Sequence, residues 1–203
     1  MGPPALFTSY RPDEVSLNCK IWEAARATSA APTYFERMEI NDRSYVDGGL
    51  GRNNPSREVL HEAKTLFGAR KIGCLVSIGT GLARVIAIKE PWPHQKFIPT
   101  NVIPGLTGIA TDPEDTHEAM LQLFANLPNT YFRLNVDQGM EDIQLSDWKK
   151  MRSVGVCTME YMKKEEVRQD LDSLVNAITA PKGVISIEEL GMEESLLFIR
   201  IVI

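Results

Sequence analysis

The sequence predicts an α/β chain built on a mostly parallel sheet flanked by helices. Two observations carry that expectation. Residues 71–81, KIGCLVSIGTG, form a near-continuous apolar run, which is how a strand covered on both faces of a parallel sheet looks. Ahead of it lie a short strand-like piece, SYVD, and a helix-patterned segment, NNPSREVLHEAKTLFG. Strand, helix and strand joined by short connections make the βαβ pattern.

Each element can be justified in chain order. ALFTSY (5–10) reads as a strand and RPDEVSLN (11–18) as the loop after it. CKIWEAARATSAAP (19–32) reads as a helix, because Ile21, Ala24, Ala25 and Thr28 recur at helical spacing and Pro32 stops it. Its small residues would let another backbone approach closely. SYVD (44–47) is a short strand running into a glycine turn. In the next helix (53–68) Asn54 suits the cap and Pro55 the first turn. Val59, Leu60, Ala63, Leu66 and Phe67 form its apolar face, and Gly68 closes it. Residues 89–108 carry four prolines and read as a long loop whose apolar members are Trp92, Phe97, Ile98, Val102 and Ile103. DPEDTHEAMLQLFANLPN (112–129) is a helix with acids in its first turn, and TYFRLNV (130–136) is a strand. Residues 146–180 read as two helices hinged near Lys163, and the tail ends on an apolar run.

The bulk properties exclude several functions. A net charge of −5 leaves no basic footprint for nucleic acid. No apolar run reaches the roughly 18 residues a membrane helix needs. Cys19, Cys74 and Cys157 are odd in number, far apart and set among apolar neighbours, so buried free thiols in a reducing, cytoplasmic compartment are expected.

Candidate chemistry is sparse. The nucleophile elbow Gly-x-Ser-x-Gly does not occur in these 203 residues. Ser77 lies inside an apolar strand pattern and reads as a buried, backbone-bonded serine. His61-Glu62 and His117-Glu118 each lack the second histidine of a zinc motif, and His94 lies in the proline-rich loop. No metal site is expected. SIGTG (77–81) could cradle an anion, but a tight strand exit that needs glycine explains it as well. The remaining feature is RSYVDGGLGRNNP (43–55), where Asp47 stands before a glycine-rich turn. Such a residue either caps the turn or offers its carboxylate as a base.

ARATSAAPTYF, YVDGGLGRNNP and LVSIGTG occur in this order at close spacing. In this the chain resembles the patatin-like phospholipases, lipid acyl hydrolases with a Ser–Asp dyad, and it looks closest to fungal members. The resemblance covers roughly residues 6–165. It implies the patatin-like, FabD/lysophospholipase-like fold, lacking its N-terminal part. On that basis residues 1–165 are the C-terminal part of a patatin domain, and 166–203 are a helix and tail without assignment.

The resemblance implies that Asp47 is the proton acceptor, supported by Gly48, Gly49, Asn53 and Asn54. It implies no cofactor and no metal. The substrate would be a phospholipid or acylglycerol, met with peripheral contact to a membrane. In the intact family the serine attacks the ester and the aspartate takes its proton without a histidine. An ordinary aspartate, pKa ~3.9, is a weak base at neutral pH, so it must lie near the serine and be partly desolvated. The elbow serine and the glycine-rich oxyanion loop are both missing from these residues. The isolated chain is therefore expected to be inactive, and the competing reading is a catalytically dead fragment acting as a binding module.

Overall fold

A computed structural model describes residues 4–8, 10, 19–32, 34–68, 70–82, 113–179, 183–186 and 189–190. The expected proline-rich loop at 89–108 and the end of the tail lie outside the described residues. The chain divides into two compact units, Met1–Pro55 with Ile88–Pro113, and Ser56–Ala87 with Glu114–Ile203.

In the first unit, helix α1 spans Ile21–Thr28. Glu23 accepts the backbone N–H of Lys20 at 2.6 Å and fixes its start. The face expected to be buried is not the one that is. Ile21 is 91% exposed, and Ala25 and Thr28 are also exposed, whereas Ala27 and Ala30 are fully buried. Small size rather than hydrophobicity selects the inner face, because alanine lets a neighbouring backbone come close. Arg26 ties the helix to the chain beyond it, donating to the Glu36 carbonyl at 2.7 Å and lying over the Phe35 ring.

Strands β1 (Met38–Ile40) and β2 (Arg43–Tyr45) then form an antiparallel hairpin that the sequence reading did not include. Asn41 and Asp42 turn it, with φ of 49° and 61°. Two successive left-handed residues make the turn whose twist matches that of paired strands, and Asn and Asp adopt that conformation more readily than most residues. Residues 5–8, expected to be a strand, carry no regular structure. Phe7 nevertheless packs its ring 5.2 Å from that of Tyr45.

The second unit holds the core. Helix α2 runs Ser56–Phe67, followed by Gly68 with φ +53°. Strand β3 is Lys71–Ile72 and β4 is Leu75–Ile78, so the single expected strand is split at Gly73–Cys74. Helix α3 (Glu114–Leu123) leads to β5 (Tyr131–Leu134), which pairs parallel with β4, Leu75 opposite Tyr131 and Ile78 opposite Leu134. Helices α4 (Met151–Met162) and α5 (Glu165–Thr179) follow, with the joint at Lys163 as expected. Strand β6 (Ile185–Ser186) pairs antiparallel with β3.

Leu60 of α2, Leu75, Met120 of α3, Phe124 and Leu190 form one buried cluster. Helices therefore cover the Leu75 side of the parallel pair, the α/β arrangement the sequence predicts. The opposite side departs from the expected two-faced burial. Val76 is half-buried and Ile78 is 76% exposed. In α2, Leu60 is buried but Leu66 and Phe67 at its end are exposed, while Glu58 and Glu62 are buried. The three cysteines are free but half-buried rather than buried, and partial burial raises the Cys74 thiol above its ordinary pKa.

Candidate active site

Asp47 follows β2 directly, and two backbone bonds hold it. Its N–H donates to the Ala30 carbonyl at 3.0 Å, and its carbonyl accepts the Leu50 N–H at 3.2 Å. The first bond is where buried Ala30, just beyond α1, matters: a bulkier side chain there would keep the Asp47 backbone away. The carboxylate is half-buried. Its Oδ1 accepts the Gly49 N–H at 2.6 Å, an Asx turn that fixes the side chain. Among the described residues, Oδ2 has no hydrogen-bond partner. One oxygen is thus anchored and the other can accept a proton.

The glycines differ in what they do. A Cβ on Gly48 would meet nothing, whereas one on Gly49 would lie 2.9 Å from the Asp47 Oδ1. Gly51 has φ +93°, which breaks the short helical stretch Gly49–Arg52 into a kinked turn. Asn54 is 2% exposed, and its amide donates to the Pro113 carbonyl at 3.1 Å. That bond makes it a brace for the turn, in addition to whatever it does at the start of α2. Asn53 is exposed, with its Oδ1 beside Gly49. The structure therefore gathers Asp47, Gly48, Gly49, Asn53 and Asn54 into one turn. Missing from the sequence reading was the Ala30 carbonyl; its only trace was the run of small residues after α1.

The second unit settles the SIGTG segment by geometry. The Gly79 N–H donates to the Leu134 carbonyl and the Gly81 N–H to Asn135 Oδ1 at 2.8 Å. Both donors are spent within the protein, so this is a strand exit rather than an anion cradle. Ser77 is 6% exposed, and its Oγ accepts from Arg133 Nη1 at 2.9 Å. That side-chain partner was not foreseen, and it suits a structural serine. Arg133 also donates to Glu114 Oε1 at 3.2 Å. His117 contacts the Tyr131 hydroxyl at 3.0 Å, and His94 lies outside the described residues. Among the described residues, no group of three or more His, Cys, Asp or Glu could hold a metal, and no helix is long and apolar enough to cross a membrane.

Comparison with known sequences bears on the Asp47 turn. The sequence model of the family described as patatin-like phospholipase matches residues 5–60, which hold α1, the hairpin and that turn. Calcium-independent phospholipase A2-gamma of Rattus norvegicus is 37% identical over 150 residues, 72% of this chain. The chain belongs to the patatin-like phospholipase family. Further relatives are phospholipase A I of Arabidopsis thaliana, 36% identical over 138 residues (65% of this chain and 10% of that protein), and patatin-like phospholipase 1 of Plasmodium falciparum, 30% identical over 165 residues (72% and 24%). These are animal, plant and protozoan, and do not bear on the expected nearness to fungal members. The chain spans only 18% of the length of the rat relative. No solved structure matches it significantly.

Proposed function

We propose that this chain supplies the base of a lipid acyl hydrolase, with Asp47 taking the proton from a serine that lies outside these 203 residues. The observation that carries the reading is the Asp47 carboxylate itself. It is half-buried at a strand exit, anchored through Oδ1 by the Gly49 N–H, with Oδ2 open to a donor among the described residues. Membership of the patatin-like phospholipase family supports the reaction class, and the names of the relatives support a phospholipid ester as substrate, with an acylglycerol as the alternative.

In the proposed step the serine Oγ attacks the ester carbonyl while its proton passes to Asp47 Oδ2. The tetrahedral intermediate collapses with loss of the alcohol, which takes that proton. Water then attacks the acyl-serine, giving its proton to Asp47, and the second tetrahedral intermediate collapses with cleavage of the C–Oγ bond, the serine Oγ taking that proton back as the fatty acid leaves. Gly48, Gly49 and Asn53 shape the turn, and Asn54 braces it through Pro113. The same reading assigns residues 1–165 to the patatin domain. It puts the working protein in the cytoplasm or on the membrane surface where the substrate lies.

The absence of Gly-x-Ser-x-Gly supports a second reading, a catalytically inactive chain that acts by binding. One experiment separates the two. The 203-residue chain alone should cleave a short-chain nitrophenyl ester no faster than buffer. Joined to an N-terminal segment bearing the elbow and oxyanion loop, it should cleave the ester. There Asp47→Asn should lower the rate by about 10³-fold or more, because an amide cannot take the proton. Near-full activity of the Asn variant, or labelling of the chain alone by a serine-directed fluorophosphonate, would overturn the role given to Asp47. Failure of the joined protein to cleave ester would favour the binding reading.

A further inference from the structure

The parallel pair in the second unit has one open edge. Leu75 and Gly79 donate their N–H groups to the Thr130 and Leu134 carbonyls, at the two ends of β5. Ladder bonding alternates along a strand, so Val76 and Ile78 point their N–H and C=O groups the other way. Among the described residues no strand meets them, because β4 pairs only with β5. Ile78, apolar and β-branched, is 76% exposed beside that edge. A bare edge of apolar residues invites aggregation, and folded chains cover it.

The C-terminal run supplies a cover. Residues 196–203, LLFIRIVI, are apolar except for Arg200, and Ile199, Ile201, Val202 and Ile203 are β-branched, as strand residues tend to be. Leu197, Ile199, Ile201 and Ile203 alternate onto one side, and Arg200 falls on the other. The run has the length of a strand and is too short to span a membrane. It lies outside the described residues, but the chain leading to it is placed. Strand β6 pairs with β3, which is separated from β4 by Gly73 and Cys74 alone. Beyond β6, buried Leu190 shares the cluster that holds Leu75, the first residue of β4. From Leu190, residues 191–194 reach up to about 13 Å. A strand that starts there and follows β4 runs parallel to it. The apolar stretch 85–88 fits less well. The Leu82 N–H donates to the Val136 carbonyl, which leads the chain off β4 toward β5 and away from the open edge.

We propose that residues 196–203 add to the open edge of β4 as a parallel third strand, so that the chain caps its own sheet. The proposal concerns the second unit and holds whether or not Asp47 serves as a base.

Amide hydrogen exchange resolved to single residues tests it on the 203-residue chain. Val76 and Ile78 should exchange at least about 10²-fold more slowly than unstructured amides. A chain ending at Glu194 should return both to within about tenfold of the unstructured rate, while Gly79, bonded to Leu134, keeps its protection. Where shortening the chain also strips Gly79 of protection, Ile199→Asp with Ile201→Asp in the full chain replaces it, since Asp is disfavoured in strands. Fast exchange at Val76 and Ile78 in the parent chain would overturn the proposal, as would slow exchange that survives these changes. Protection that falls on dilution, with a dimer seen by light scattering, would instead assign the edge to a second copy of the chain. None of these readouts involves ester cleavage, so failure here leaves the Asp47 reading untouched.

Discussion

Replacing Arg133 by Met tests the strand pair that organises the second unit. The guanidinium is 8% exposed and reaches two elements at once: Ser77 Oγ on β4 at 2.9 Å and Glu114 Oε1 at the start of α3 at 3.2 Å. Hydrogen bonds that involve a charged group contribute about 1.5–3 kcal/mol each. Glu114 is 35% exposed, so its share lies toward the low end after solvent screening. Ser77 and Glu114 have further interactions, so neither is left wholly unsatisfied. An offset also exists, because Arg133 Nε is buried without a partner and its removal relieves that cost. The expected net loss is about 2 kcal/mol, which for a chain of this size lowers Tm by roughly 4–8 °C.

Thermal unfolding followed by far-UV circular dichroism reads the shift. A double-mutant cycle with Glu114→Gln should show coupling of about 0.5–2 kcal/mol, because the two residues touch. An Arg133→Met protein as stable as the parent, with zero coupling, would refute the claim that this network ties α3 to the sheet.

Two further outcomes are expected. Gly81 has φ +112°, and a Cβ there would sit 2.6 Å from Met140 Cβ, so Gly81→Ala should cost about 2–4 kcal/mol; Gly155 in α4 has open space, and Gly155→Ala should stabilise by about 0.5–1 kcal/mol in the same melt. Lys164 holds the Asp137 carboxyl below the ordinary range, so the folded state gains stability above the unfolded carboxylate pKa and loses it as pH falls through the lower folded value. Lys164→Met should therefore lower Tm slightly at neutral pH, with the difference from the parent vanishing in strong acid; a difference that persists there would exclude the ion pair as its cause.

Where the sequence could be read and where it could not follows from the strength of each physical signal. Helices α3, α4 and α5, and the joint at Lys163, carry periodic patterns long enough to be recognised. Strands β4 and β5 were legible because apolar runs of parallel strands contrast with their turns. The hairpin of β1 and β2 was not, because three-residue strands give too little alternation and the turn is Asn-Asp without glycine. The pairing of β3 with β6 joins two-residue strands more than a hundred positions apart, a non-local contact with no local trace. The burial of α1 was misread because hydrophobicity points to Ile21, whereas close approach of Asp47 to Ala30 requires alanine. The turn that holds Asp47 was legible through the glycines and asparagines around it, but the bond to Ala30 that fixes its backbone was not.

That bond also explains why the catalytic candidate comes with a hairpin. A carboxylate serving as base must hold one geometry, and a glycine-rich turn alone is too loose to hold it. Here the glycines, at 48, 49 and 51, all follow Asp47. Before it, β2 is pinned to β1 through Met38–Tyr45, Glu39–Ser44 and Ile40–Arg43. At Asp47 the backbone is pinned to Ala30, and the side chain is pinned by its own turn through Gly49. Gly49 thus does two things: its N–H holds the Asp47 side chain, and its lack of a Cβ keeps the carboxylate uncrowded. The proposed chemistry requires both a fixed acceptor and an open approach for the serine and ester; the bonds to Ala30 and Gly49 supply the first, and the glycines that follow Asp47 favour the second.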